Sequence, residues 1–417
     1  MGKGKKRLNP SGFIILIIMI VTIGYFMMNK DAKIERYMVD LTNYNLNQIK
    51  EFVNINNLDL EIKYEHNDTI EKDKVISQNI MENTLLQDND KLIVYISLGP
   101  IPVDLYKEKK VNELGVIPVM MYHGIHYLKN SDTPYTGGNV DRDGYNRTSE
   151  AFIDDLEFYY QNGYRMIRLK DYIDGNIDVP LGMSPIILTF DDGLENNIKV
   201  LDKKDNGELI IDPNSAIGIL ESFKEKYPDY QVTATFFLNK GLFNQPEYNE
   251  DIIKWLVDNG YDIGNHTANH YNLANLSSNN VKKEVATIYQ LLDTIIPDKY
   301  LKIIALPHGT PYNRNHQNFP VILSGTYDGY DYTTECTLRV GWEPELSPYD
   351  INFNKTFIKR VRAWDNNGTE FDIESTFKRL ESNRYISSGN KDIIVIPKSK
   401  SNRLNNNLND KRVVTYE

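Results

Sequence analysis

An apolar run that ends in two adjacent carboxylates constrains this chain more than any other feature. Ile186-Ile187-Leu188 has the β-branched character of a buried strand and passes directly into Thr189-Phe190-Asp191-Asp192-Gly193. A buried strand is therefore predicted to break into a loop at two acids. Val232-Thr233-Ala234-Thr235-Phe236-Phe237-Leu238 reads as another buried strand. An amphipathic stretch from Asp251 to Asn259, with Ile252, Ile253, Leu256 and Val257 at helical spacing, then leads through Gly260-Tyr261-Asp262-Ile263-Gly264-Asn265 into His266-Thr267-Ala268-Asn269-His270. Two imidazoles at this spacing reach one point if the segment is a helical turn. One Asp and two His make a three-ligand metal site with a position left for water, the layout of a hydrolytic rather than a structural centre. The other Asp is then free to act as a base. Taken singly, Asp-Asp-Gly after a strand is an ordinary turn signal, so it is the combination that carries weight.

In this order, Thr-Phe-Asp-Asp-Gly, Ala-Thr-Phe-Phe-Leu and Gly-x-x-Ile-Gly-Asn-His-Thr-x-x-His resemble the polysaccharide deacetylase family with the NodB-type domain (carbohydrate esterase family 4-like), over roughly Val116 to Ile396. The resemblance implies an α/β fold, a distorted (β/α) barrel, and hydrolysis of N-acetyl groups on an amino-sugar polymer. It implies a divalent metal, zinc first, with cobalt, nickel or manganese as alternatives. Carried over residue by residue, Asp191 is the base, and Asp192, His266 and His270 are the metal ligands. Placement at the C-terminal end of a strand agrees with barrel logic. Ile117-Pro118-Val119-Met120-Met121-Tyr122-His123-Gly124-Ile125 is similar to the opening strand of one branch of these enzymes.

Two departures matter. The family's third motif places an arginine two residues before the Pro of Pro-Tyr-Gly, and here the word is Ala305-Leu306-Pro307-His308-Gly309. The backbone N–H of His308 is then expected to hold the developing oxyanion. Arg360, in Thr356-Phe357-Ile358-Lys359-Arg360-Val361-Arg362, is the expected substitute for the arginine, with Arg362 on the same strand face. The family's C-terminal histidine acid is also missing: the last histidine is His316. His123 at the end of its strand is expected to supply that proton, while His126 reads as a surface residue. If neither gap is filled, the alternative is a catalytically impaired barrel acting as a wall-binding or scaffolding protein.

The remaining regions frame this domain. Residues 1–11 carry Lys3, Lys5, Lys6 and Arg7, and an apolar run over 12–28 follows. That length lies at the short end of a membrane span. A cleaved signal peptide is the competing reading, but no small-x-small site follows the run. The basic flank predicts a cytoplasmic N-terminus and an extracellular catalytic domain. Residues 37–99 show a helix and then three strands. Val39-Asp40-Leu41, Val75-Ile76-Ser77-Gln78 and Ser97-Leu98-Gly99-Pro100 resemble a PASTA module, a domain associated with bacterial cell walls. Met38 and Asn83 stand where that family has Pro and Gly. Lys107 to Asn112 reads as a charged linker, 113–397 as the barrel, and 398–417 as a polar, loosely packed tail. The expected partners are an extracellular glycan and the membrane. A net charge of −11 argues against nucleic acid. The single cysteine, Cys336, excludes an intrachain disulfide framework and reads as a buried apolar residue.

Overall fold

The computed structural model describes residues 35–417 apart from Glu370 and Asn409. The basic segment 1–11 and the apolar run 12–28 lie outside the described residues. Among those described, no helix is long and apolar enough to cross a membrane. The chain divides into two compact units after Pro102.

In the first unit, helix Leu46–Asn56 starts at a reciprocal cap, in which Asn45 accepts from Gln48 N–H and the Gln48 side chain accepts from Asn45 N–H. Strand Lys91–Ser97 is central, parallel to Asp59–Glu65 and antiparallel to Val75–Gln78. Leu92, Val94 and Ile96 of the central strand pack with Ile49 and Val53 of the helix. The two departures from the PASTA pattern are physically accommodated. Met38 is 1% exposed in this core. Asn83 has φ of 64°, the left-handed conformation that asparagine tolerates best after glycine.

The second unit is built on one curled sheet. Its strands are β1 (Val119–Tyr122), β2 (Tyr164–Met166), β3 (Ser184–Phe190), β4 (Thr235–Leu238), β5 (Asp262–Asn265), β6 (Ile303–Ala305), β7 (Cys336–Leu338), β8 (Phe357–Ile358) and β9 (Val361–Arg362). The order across the sheet is β8-β7-β6-β5-β4-β3-β1-β9, with β2 also on β3, and every pairing is parallel. The two edges, β8 and β9, are separated only by Lys359 and Arg360. A single stretch of chain therefore carries both edge strands, and the expected barrel is a curled half-barrel rather than a closed one. Along β3, Ile186, Leu188 and Phe190 pack with the helix residues Phe152, Leu156 and Leu220. Ile187 instead joins Val119, Phe237, Ile303, Leu338 and Ile358 from the other strands. The two-residue period then sends Thr189 and Asp191 to the inner side. Cys336 is buried among the same inner residues.

Two expectations are corrected. Lys107 to Asn112 is not a free linker: helix Val103–Glu108 belongs to the second unit, and Asn112 N–H bonds the Ile386 carbonyl. The tail after 397 is not loose. Strand Arg412–Tyr416 pairs in parallel with Ile393–Pro397, and the Tyr416 hydroxyl donates to Val111. Val414 is buried and Val413 half-buried, enough to seat a short strand against the apolar Ile393–Pro397. Helix Ser149–Gln161 is capped by Thr148, whose side chain accepts from Ala151 N–H.

Candidate metal centre

Asp191 follows β3 directly, and its N–H bonds the Tyr122 carbonyl at the end of β1. Asp192 then takes φ of 72°, and Gly193 follows at 58°. A Cβ on Gly193 would lie 2.3 Å from the Leu242 carbonyl oxygen, so only glycine permits this turn. The turn separates the two acids: Asp191 stays inside the barrel, 1% exposed, and Asp192 faces the cleft.

The histidine word is not a helical turn. His266 leaves β5, then Thr267 and His270 adopt φ of 64° and 57° and fold the segment back on itself. Asn265 Oδ1 accepts from Thr267 N–H at 2.7 Å. The buried Glu284 carboxylate accepts both from Asn269 N–H and from its side-chain amide, each at 2.7 Å. These clamps bring the two rings to 4.8 Å between centroids. His266 Nδ1 lies 2.8 Å from the Ala305 carbonyl. A carbonyl can only accept, so Nδ1 carries the proton and Nε2 presents its lone pair. That Nε2 is buried with no hydrogen-bond partner, 3.2 Å from Asp192 Oδ1. His270 Nε2 lies 3.5 Å from the same oxygen. One donor atom from each of Asp192, His266 and His270 falls within 4.8 Å of the others. An orphaned buried nitrogen, a tautomer set by a backbone acceptor and a carboxylate between two imidazoles fit a divalent cation, with the outer hydrogen bond that metal-binding histidines ordinarily show.

Arg360 sits in the gap between β8 and β9, fully buried, and grips Asp191 with two bonds of 2.7 and 2.6 Å. It also donates to Thr189 and to the Arg339 carbonyl. Ala305, at the position where the family motif has arginine, contributes its carbonyl to His266 instead. Arg362 follows two residues after Arg360, at the end of β9. Its guanidinium lies over Tyr145 and Trp364.

The electrostatics follow from this packing. Burial pushes the Asp191 carboxyl up, but Arg360 and His266 outweigh it and hold it well below the usual range. Asp192 is lowered too, against burial, by the neighbouring His266. Burial pulls His266 down, yet Asp191 and Asp192 reverse the shift and raise it. His270 is lowered by burial and by His266. His123 is lowered by burial, with Asp191 and Asp192 opposing.

These groups open into a pocket of about 420 Å³ lined by His123, Asp191, Asp192, His266, His270 and His308, with Tyr145, Asn146, Leu194, Leu306 and Val340 completing the wall. His123 Nδ1 is buried without a partner, and its ring meets Tyr145 at 4.9 Å. His308 takes φ of 56° in the turn Pro307–Gly309, and its exposed side chain packs 4.6 Å from the His270 ring. His126 is half-buried and is not among the residues lining this pocket. Sequence reasoning passed over Tyr145, Asn146 and Glu284. The signal for the first two was the Asp141-x-Asp143-Gly144 turn: Asp141 accepts from Tyr145 N–H, Asn146 N–H and the Asn146 amide. Behind His123, Tyr122 donates to Asp155, which is itself paired with the buried Arg147 at 2.7 Å.

Comparison with known proteins agrees with this arrangement. Residues 178–319 match the polysaccharide deacetylase family, and residues 37–98 match the PASTA domain. The chain thus carries a polysaccharide deacetylase domain preceded by a PASTA domain, and its class is that of hydrolases acting on amides. Among solved structures it is similar to the Streptococcus pyogenes deacetylase PplD in complex with acetate, at 18% identity over 61% of this chain and 94% of that one (TM-score 0.43). It is also similar to a de-N-acetylase from Aggregatibacter actinomycetemcomitans, at 13% identity over 63% and 99% (TM-score 0.41). A third is the BpsB deacetylase domain from Bordetella bronchiseptica, at 14% identity over 60% and 97% (TM-score 0.39).

Proposed function

We propose that this chain removes N-acetyl groups from an extracellular amino-sugar polymer of the cell wall, in a metal-dependent reaction at the Asp192–His266–His270 cluster. The observation that carries the reading is the placement of Asp191, a buried carboxylate held on both oxygens by Arg360, directly beside that cluster and facing the same pocket. A structural metal site has no use for such a neighbour.

Asp192 Oδ1, His266 Nε2 and His270 Nε2 would hold the ion, and a mixed N/O set of three with an open position suits zinc, with cobalt, nickel or manganese as alternatives. When bound, a divalent ion there supplies Lewis acidity toward the acetamide carbonyl and water. Arg360 keeps Asp191 ionised and aimed, so Asp191 takes the proton from the attacking water. The His308 N–H, at the tip of its left-handed turn, faces the developing oxyanion. His123 delivers a proton to the departing amine as the C–N bond breaks, leaving acetate and a free amino sugar. Burial disfavours the charged form of His123, so the proton it gives the amine is the one Asp191 has taken from the water, passed on within the pocket as both groups return to their resting states. The apolar segment 12–28 anchors the chain with the catalytic domain outside, and the PASTA domain lies between the anchor and the barrel in sequence.

The test is acetate release from peptidoglycan and from chitooligosaccharides by the purified full chain, with chelator and after zinc is restored. Activity should vanish with chelator and return with zinc. Asp191→Asn should keep its metal and lose at least roughly 10²-fold in turnover. Chelator-insensitive release, or near-normal turnover by Asp191→Asn, defeats the reading.

A further inference from the structure

Tyr145, which lines the pocket beside His123, carries on its ring a cation that the reaction described above does not use. Arg362 is half-buried, its guanidinium 5.3 Å from the Tyr145 ring centroid and 4.8 Å from that of Trp364. Arg360, Arg147, Arg168 and Arg403 each meet a carboxylate. Among the described residues, Arg362 has no carboxylate within ion-pair distance and no acceptor for its side-chain N–H groups. Stacking accounts for its position but leaves the hydrogen-bonding fork unused.

This platform is rigid. Gly144 packs flat on Trp364, where a Cβ would lie 2.0 Å from the indole ring. The Asp141 carboxylate fixes the backbone of Tyr145. Asn139 ties the same loop to the Asp365 backbone. Since Tyr145 also meets the His123 ring at 4.9 Å, the guanidinium lies within roughly 10 Å of the proposed proton donor. That distance suits a substituent on the reacting sugar or on its neighbour. Trp342, 45% exposed, stands on the adjoining strand segment, whose Gly341 carbonyl accepts from Arg362 N–H.

Resting on the deacetylase reading, we infer that Arg362, carried on Tyr145 and Trp364, binds a carboxylate of the glycan, so that the preferred substrate is an amino-sugar polymer with acidic substituents rather than a neutral one. Aromatic faces take the apolar faces of sugar rings, and a planar guanidinium takes a carboxylate through two parallel bonds. Peptidoglycan, with its carboxyl-bearing ether on alternate sugars, is a polymer of this class.

The experiment uses the full chain with peptide-free peptidoglycan strands and the same strands with their carboxyls methyl-esterified, reading acetate. The wild-type chain should favour the free acid by about 10- to 100-fold in kcat/KM, mainly through KM, the range of a charge-assisted hydrogen bond. In Arg362→Gln that ratio should fall toward one, and Arg362→Lys should retain part of it, with thermal unfolding confirming that both variants are folded. A wild-type chain indifferent to esterification, or a ratio unchanged in Arg362→Gln, overturns the inference; an equal loss on both strands assigns Arg362 a purely structural role. If neither strand is deacetylated, the deacetylase reading fails, and calorimetric binding of the two strands decides the inference separately by the same ratio.

Discussion

Replacing Arg360 by Met tests the centre of this structure, because Arg360 both joins the two edge strands and holds the base. The substitution keeps the length of the side chain and removes the charge. Asp191 is then left 1% exposed with no cation on either oxygen, and Thr189 and the Arg339 carbonyl each lose a donor. Breaking a buried pair from one side costs about 3–5 kcal/mol, and two short charge-assisted bonds place this pair in the upper part of that range. The assay is urea unfolding of the full chain in chelator at pH 7, so that metal binding does not contribute. The pH dependence has a definite sign. Arg360 and His266 depress the native pKa of Asp191, so the pair's contribution is complete above the usual carboxylate range near pH 4 and fades as pH falls through the native value. The gap between wild type and Arg360→Met should therefore narrow in acid. The double variant Arg360→Met with Asp191→Asn should recover part of the loss, since it no longer buries a charge. A single variant within about 1 kcal/mol of wild type, or a gap that does not depend on pH, would refute the argument.

Three further outcomes are expected. Glu113 is buried and its pKa is pushed from 4.5 up to about 7 by loss of solvent, against N–H donors from Ser388 and Val395. The native state thus prefers the protonated acid, and relative to Glu113→Gln the wild type should lose about 3 kcal/mol of stability as pH rises from 4.5 to 7; parallel stability curves for the two proteins would contradict this. His270→Ala and His266→Ala should each remove about one bound metal ion per chain by elemental analysis, with His266→Ala also destabilising the fold because its ring bonds the Ala305 carbonyl. Deleting residues 411–417 uncovers Ile393–Pro397 and removes the bond to Val111, and should lower stability by about 2 kcal/mol or more in urea unfolding, whereas an inert tail would give no change.

Much of the site was legible because its chemistry is local. The strand into Asp191 and Asp192, the glycine that permits their turn, the paired histidines and the strand ending at His123 are each written within a few consecutive residues. The same holds for the first unit, where the helix and three strands follow from short-range periodicity. What the chain could not show locally is how distant segments meet. The convergence of His266 and His270 depends on two left-handed residues and on Glu284, a helix away, rather than on helical spacing. The pairing of the tail with Ile393–Pro397 depends on a partner strand that gives the apolar pair Val413-Val414 a place to bury. Arg360 reaches Asp191, across 169 positions of sequence, only because β9 pairs with β1, which in turn pairs with β3. Residue types and turns thus determined which groups could do chemistry, and only the pairing and curvature of the sheet decided which of them share one pocket, because contacts between β3, β5 and the β8–β9 segment exist only once the sheet has formed.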